Sequence, residues 1–396
     1  VSDDFISSFL THTSEYESPT SFWKWSAITA IGSILRDNCY RQFGDHRIYP
    51  NIYTLLVADS AVHRKGNPVK LCEALVSKIN NTKVISGRTS IQAILDELSR
   101  GETNPKTGAL LKGGSALFSA AELSAGIVND PEAVKILTDI YDFREEYTSR
   151  LRGTGTFRIK NVCFSMMAAS NASMLIGFFD NIAILGGLLG RTMLVKPDQF
   201  RQGNSLWDIK DTSVGFKQLV CQLKVISELK GEFEFSIEAK EVYDNWYIPL
   251  RKSYEKKPDS SGILGRIHTS VLKVAMILSV NYRQELQVEK RDIEESIDEC
   301  MALLPNYQSF IMRSGKSTIA DVGAIVLGEL IVSKDHQMSR KELLRKHWNQ
   351  FDAEIFDKTM QTLVPAGMLL ESMNGTGIFY QLSEKCLESL TKGTEV

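Results

Sequence analysis

Paired cysteines and metal-ligand spacings are missing from this 396-residue chain. Its six cysteines, Cys39, Cys72, Cys163, Cys221, Cys300 and Cys386, fall at irregular intervals without a CxxC or a Cys/His spacing. That argues against a structural zinc and against a disulfide framework, and scattered thiols fit a reducing compartment. The histidines make no HExxH pair, which removes the zincin class. No apolar run approaches the roughly 20 residues that a bilayer-spanning helix needs. The opening "VSDDFISSFLTHTSEY" lacks a basic n-region and a long h-region, so the expectation is a cytoplasmic protein without a membrane partner. The Asn-x-Ser/Thr triplets at Asn80, Asn171 and Asn374 are then chance matches. Charge of one sign is lacking too: 46 Lys+Arg stand against 48 Asp+Glu, a net charge of -2. Nothing pulls the whole chain toward nucleic acid, so any such binding must come from a local basic patch.

The length allows two or three domains, each with its own core. Residues 2–40 read as helical, with apolar residues three and four apart in "FISSFL" and "SFWKWSAITAIGSIL". "IYTLLVA" is a short apolar run without alternation, the pattern of a strand buried on both faces. Helical "PVKLCEALVSKI" and "SIQAILDELSRG" then alternate with strand candidates "KVISG", "SALFSA", "NVCFSMMAAS" and "RTMLVKP", which predicts a parallel sheet covered by helices. Beyond about residue 205 the period is helical throughout. Residues 316–396 read as three helices, near 319–332, 339–346 and 352–363, followed by two apolar runs around Asn-Gly, a hairpin signal. Three helices and a terminal hairpin describe a winged helix. The expected divisions are therefore a helical N-terminal segment (1–47), an α/β core (48–205), a helical lid (206–315) and a winged helix (316–396).

The stretch "LLVADSAVHRKGNPVK" runs from buried strand through a small-residue turn into a helix. A phosphate-binding loop has this frame, with backbone N–H groups facing phosphate oxygens, a lysine reaching the outer phosphates and a hydroxyl beside it holding magnesium. Here Ala58 and Arg64 stand where glycines belong, Lys65 holds the lysine position, and Gly66-Asn67 replaces the hydroxyl residue. The plain alternative is a turn whose Lys65 is solvated. An ATPase also needs an acid just past a second buried strand, a polar tip on another strand, and an arginine offered to a neighbouring subunit's γ-phosphate. Glu122 in "GSALFSAAELS", Asn171 in "CFSMMAASN" and Arg191 in "LGGLLGRTMLV" occupy those places in that order. Taken singly they have bland readings as a helix-terminal carboxylate, a turn former and a surface charge.

With these segments, "YPNIYTLLVADS", "LTDIYDF" and the helix "GRIHTSVLKVAMI", the chain resembles phage and mobile-element P-loop ATPases related to the superfamily 3 replicative helicases of the AAA+ class. The likeness spans most of residues 15–315, and its motifs are specific in combination. It implies an AAA+-type P-loop ATPase core with ATP and Mg2+ as cofactors, assembled as a homo-oligomeric ring, hexameric in superfamily 3, that acts as a DNA helicase or translocase in replication. The implied nucleotide contacts are Ser60, Ala61, Arg64, Lys65, Gly66 and Asn67, with Asn67 as a poorer magnesium partner than threonine, and Arg266 from the lid. Lys65 would hold the β/γ phosphates, Glu122 orient water, Asn171 sense the γ-phosphate and Arg191 complete the adjoining site.

DNA, single-stranded or forked, has a candidate contact in "EEYTSRLRGTGTFRIKN", where a hairpin around Gly153-Thr154-Gly155 carries Arg150, Arg152, Arg158 and Lys160. The resemblance implies such a hairpin before the polar-tipped strand, directed into the ring channel. The alternative is a solvated hairpin neutralised by Glu145 and Glu146. In the winged unit "AEIFDKTMQTLV" is the candidate recognition helix, and "SRKELLRKHW" is the more basic segment. Two further functional readings stay open: an ATPase fold that loads or initiates on DNA without turnover, and an NTPase of a defence assembly.

Overall fold

Five parallel strands make the central sheet of the computed structural model. It describes the chain except residues 1–3, 60–61, 88, 104–109, 124–126, 128–129, 152–154, 172–186, 202, 204–212, 257–261, 308–317, 376 and 388–396. The strands are β3 (Tyr53–Val57), β4 (Lys83–Ser86), β5 (Ser115–Ala120), β7 (Gly155–Ser170) and β8 (Thr192–Val195). They lie in the order β8-β3-β7-β5-β4, every neighbouring pair parallel. All five residues of β3 are buried, as are the last nine of β7, because helices cover both faces and leave no polar side to alternate with. Strand β7 does two jobs. Its C-terminal half sits in the sheet, and its N-terminal half extends past the sheet edge to pair antiparallel with β6 (Arg144–Leu151). Connecting helices are α3 (Gly66–Val76), α4 (Ile91–Ser99) and α5 (Pro131–Tyr141).

The structure corrects two boundaries read from the sequence. Residues 1–47 are not a helical segment set apart. Helix α1 (Phe5–His12) is followed by α2 (Thr20–Leu35), which is apolar on all sides and belongs to the main core, and Cys39–Phe43 and His46–Ile48 form strands β1 and β2. The helix expected in a lid, α8 (Leu264–Arg283), is likewise a core helix, with every residue from Ser270 to Asn281 buried. The two approach closely at Gly32, where an added Cβ would lie 2.6 Å from the Pro50 carbonyl oxygen and 2.9 Å from Ile277 Cδ1. Helices α6 (Ser213–Ser227), α7 (Ile237–Lys256) and α9 (Lys290–Ala302) pack against this core. Among the described residues no helix is long and apolar enough to cross a membrane.

The chain divides into two compact units, 1–311 and 312–396. The second has its own core of Leu343, Phe356, Tyr380 and Leu382. It contains α10 (Thr318–Val332), α11 (Arg340–Lys346) and α12 (Ala353–Leu363), with an antiparallel sheet β9-β11-β10 built from Gln337–Ser339, Gly377–Leu382 and Leu369–Asn374. The Asn-Gly hairpin is β10–β11, closed at Asn374 and Gly377. Strand β9 was not foreseen, because three residues carry no period.

Candidate functional site

Parallel register decides which chain tips meet. Val57 is level with Ser170, and Ala168 with Ala120, so the residues after β3, β7 and β5 emerge at one edge of the sheet. Hydrogen bonds fasten these tips together: Ala58 N–H to Ser170 O at 3.3 Å and Leu123 N–H to Ala169 O at 2.7 Å. A Cβ on Gly66 would lie 3.7 Å from Ala121 Cβ, so the start of α3 stands beside the turn that carries Glu122. The Glu73 carboxylate accepts from the Ser119 hydroxyl at 2.8 Å and pins α3 to β5. Lys65, Glu122 and Asn171 are thus brought to one edge by three different strands. Neither Lys65 nor Glu122 has a side-chain hydrogen bond or ion pair among the described residues. Ser60 and Ala61 lie outside the described residues.

Arg64 takes φ +43°, the left-handed conformation that glycine normally supplies, so the backbone there behaves as the missing glycine would. The strain is offset by three tethers. The Arg64 carbonyl accepts from Asn67 N–H at 3.0 Å and from the Ser18 hydroxyl at 3.1 Å, and its guanidinium pairs with Glu17. His63 packs on the Phe200 ring, centroids 4.4 Å apart. Arg64 thus braces the loop through Glu17.

At the start of α3 Pro68 has no N–H, and the Asn67 N–H donates to the Arg64 carbonyl, so neither is open to a ligand. The helix has no side-chain cap, so its positive end is not already neutralised. Asn67 is exposed and its amide oxygen is a hard donor, the type magnesium takes alongside phosphate oxygens and water. Lys65 and Asn67 are the described residues here that could hold a magnesium triphosphate, Lys65 by charge and Asn67 by its amide oxygen.

Arg191 sits at the other edge. Thr192 is level with Tyr53, at the start of β3, and the five residues of that strand span about 17 Å. Arg191 donates to Asp142 Oδ2 at 2.8 Å and to Gly187 O at 3.0 Å, 5.9 Å from the Tyr141 ring centroid. Beside it is Lys273, on α8. It is buried, with Nζ donating to Asn51 O at 3.0 Å and Asn51 Oδ1 at 2.8 Å, 3.9 Å from the Tyr141 ring centroid. Burial pushes its ammonium down to about 8. Asn51, arriving from before β3, supplies the hydrogen-bond acceptors for this lysine in the core, and that meeting is 222 residues apart in sequence.

Arg266, expected as a lid contact to the phosphates, lies one turn before Thr269, which with Lys273, Asn51 and Asp142 lines a cavity at this same far edge. It bonds Gly262 O at 3.3 Å. Within one chain its helix turn is therefore placed toward the edge opposite the loop.

The β6–β7 hairpin also projects from the far edge. Its register pairs Arg150 with Thr156, Thr148 with Arg158 and Glu146 with Lys160. Pairs two residues apart share a face, so Arg150, Arg158 and Lys160 form one stripe while Ser149 and Ile159 are buried on the other face. Lys160 pairs with Glu146 at 3.1 Å. Arg150 and Arg158 are exposed and have no ion pair among the described residues; Arg152 lies outside them. In the second unit, α12 spends its charge internally: Lys358 pairs with Glu354 at 2.7 Å, and Asp357 is held by Arg340 at 2.8 Å. That argues for packing over base reading. No family model matches the chain, and no curated protein matches it.

Proposed function

We propose that this chain is an ATP-dependent DNA helicase or translocase of AAA+ type, working in a ring of identical subunits and serving replication of a phage or mobile element. The observation that carries the reading is the division of the sheet into two edges. Lys65, Gly66, Asn67, Glu122 and Asn171 share one, while Arg191 and the basic hairpin stand at the other. Lys65 binds the outer phosphates, Glu122 holds the attacking water, Asn171 contacts the terminal phosphate, and magnesium, carried with ATP, offsets phosphate charge near Asn67. Because about 17 Å of strand separates Arg191 from its own loop, Arg191 can serve only a neighbour's site, and release from Asp142 is the step that frees it. The second unit, with three helices and a β-hairpin, is read as a winged helix that contacts a partner.

Mixing two inactive variants tests this. Lys65→Ala loses nucleotide binding, and Arg191→Ala keeps binding but loses turnover. Co-assembled in equal amounts, they restore about a quarter of wild-type DNA-stimulated ATPase activity, since one interface in four joins an intact loop to an intact arginine. No recovery, with both variants still assembled, refutes the finger in trans. Asn67 in place of a hydroxyl residue favours the second reading, a loader without turnover; nucleotide binding with no hydrolysis in the presence of single-stranded DNA selects it.

A further inference from the structure

A cavity of about 410 Å³ opens at the N-terminal edge of the sheet, opposite the Lys65 loop, between the end of α2, the starts of β4 and β5, and the end of α4. Four cations line it, Arg36, Lys83, Arg100 and Lys230, and no carboxylate does among the described residues. Two of the four have structural work. Lys83 Nζ donates to the Glu97 and Arg100 carbonyls at the end of α4, and Arg100 pairs with Asp96 and Glu97 on its own helix. Arg36 is likewise bonded to carbonyls but lies deeper, and Lys230 has no such bond among the described residues. Arg36 is 7% exposed and left-handed at φ +53°, and gives Nε and Nη1 to the carbonyls of Ile34 and Asn81. It has no carboxylate partner among the described residues, although a buried guanidinium without a counter-charge is costly. Lys230 is exposed at the cavity mouth, with no ion pair among the described residues.

Two more features suit an anion. The Thr82 hydroxyl is buried without a hydrogen-bond partner, although it can donate. Gly113 has no room for a side chain, since a Cβ would lie 2.9 Å from Gly101 Cα, so backbone forms that wall and the space stays open. Nearby Asp37 is occupied with Ser115 at 3.0 Å and does not line the cavity.

We infer that this cavity is a second anion site, which takes a small phosphorylated molecule of pyrophosphate to nucleotide size, held by Arg36, Lys230 and the Thr82 hydroxyl. Its volume is that of a small-ligand pocket, and the Arg36 guanidinium, with Nε and Nη1 on carbonyls, has Nη2 left for a phosphate oxygen. The Lys83 ammonium and the Arg100 guanidinium supply background field. The site is independent of the nucleotide-binding reading, since the two lie at opposite edges of the sheet.

Inorganic pyrophosphate titrated calorimetrically into the Lys65→Ala chain is the test, because that variant silences the loop. Saturable binding is expected, weakened at least tenfold by Lys230→Glu and severalfold by Thr82→Val, and unchanged by Lys78→Glu outside the cavity. Thr82→Val keeps its shape at a buried hydroxyl, and Lys230→Glu is on the surface, so both variants fold; a melting temperature checks it. Pyrophosphate binding that vanishes in Lys65→Ala, or that Lys230→Glu leaves untouched, overturns the site. So does a result in which a single-stranded oligonucleotide binds through Lys230 while pyrophosphate does not, which would make the cavity part of a strand-binding path.

Discussion

The hairpin stripe makes a quantitative prediction about DNA binding. Arg150 and Arg158 share a face and have no ion pair among the described residues, whereas Lys160 is held by Glu146 at 3.1 Å. Each phosphate neutralised on a single strand contributes about 0.7 to the slope of log affinity against log salt. Replacing both arginines by alanine therefore lowers that slope by about 1.4, close to a sevenfold smaller loss of affinity over a fourfold rise in salt. Lys160 contributes less than a full charge because Glu146 must be displaced first. Removing that competitor with Glu146→Gln then strengthens binding and steepens the slope by up to about 0.7. Fluorescence anisotropy with a labelled oligothymidylate across a salt series measures both. The opposite signs are decisive, since a variant that merely loosened the hairpin would not bind DNA more tightly. If the arginine pair weakens binding without changing the slope, or Glu146→Gln weakens it, the stripe does not touch phosphates.

Other outcomes follow from single residues. Asn67→Thr places a hydroxyl where magnesium is expected and raises magnesium-dependent turnover severalfold; unchanged turnover removes Asn67 from the metal. Lys273 gives a pH signature. Its ordinary value of 10.5 falls to about 8 on burial, so the unfolded chain keeps a proton between those values that the folded chain has lost, and stability rises with pH through that window. Relative to Lys273→Met, in which the other groups titrate alike, the wild type gains about 3 kcal/mol across it in denaturant melts; a flat difference refutes the buried ammonium. Gly32→Ala drives a methyl into the Pro50 carbonyl and destabilises the first unit by at least about 1–3 kcal/mol in the same assay. Ser339 accepts from Glu342 N–H at 3.2 Å in a capping box, and Ser339→Ala lowers the stability of the second unit by about 1 kcal/mol.

Apolar runs without alternation were enough, in sequence, to place β3, β5 and the end of β7 in a parallel sheet, because burial on both faces removes polar residues from such strands. The β6–β7 hairpin and the Asn-Gly hairpin were legible for a similar local reason, their turns being spelled by adjacent residues. Strand order was not, since neighbours in a sheet are set by long-range pairing. That order placed Glu122 and Asn171 beside the Lys65 loop and sent Arg191 to the far edge. The same limit explains α2 and α8, whose apolar sequences gave helices but not their place in the core. The contacts of Lys273 with Asn51, and the closing of two strand starts around Arg36, are likewise set by tertiary packing. Period and turn chemistry act between near neighbours and are written along the chain. The partner of a buried charge is chosen by packing, and only the folded molecule names it.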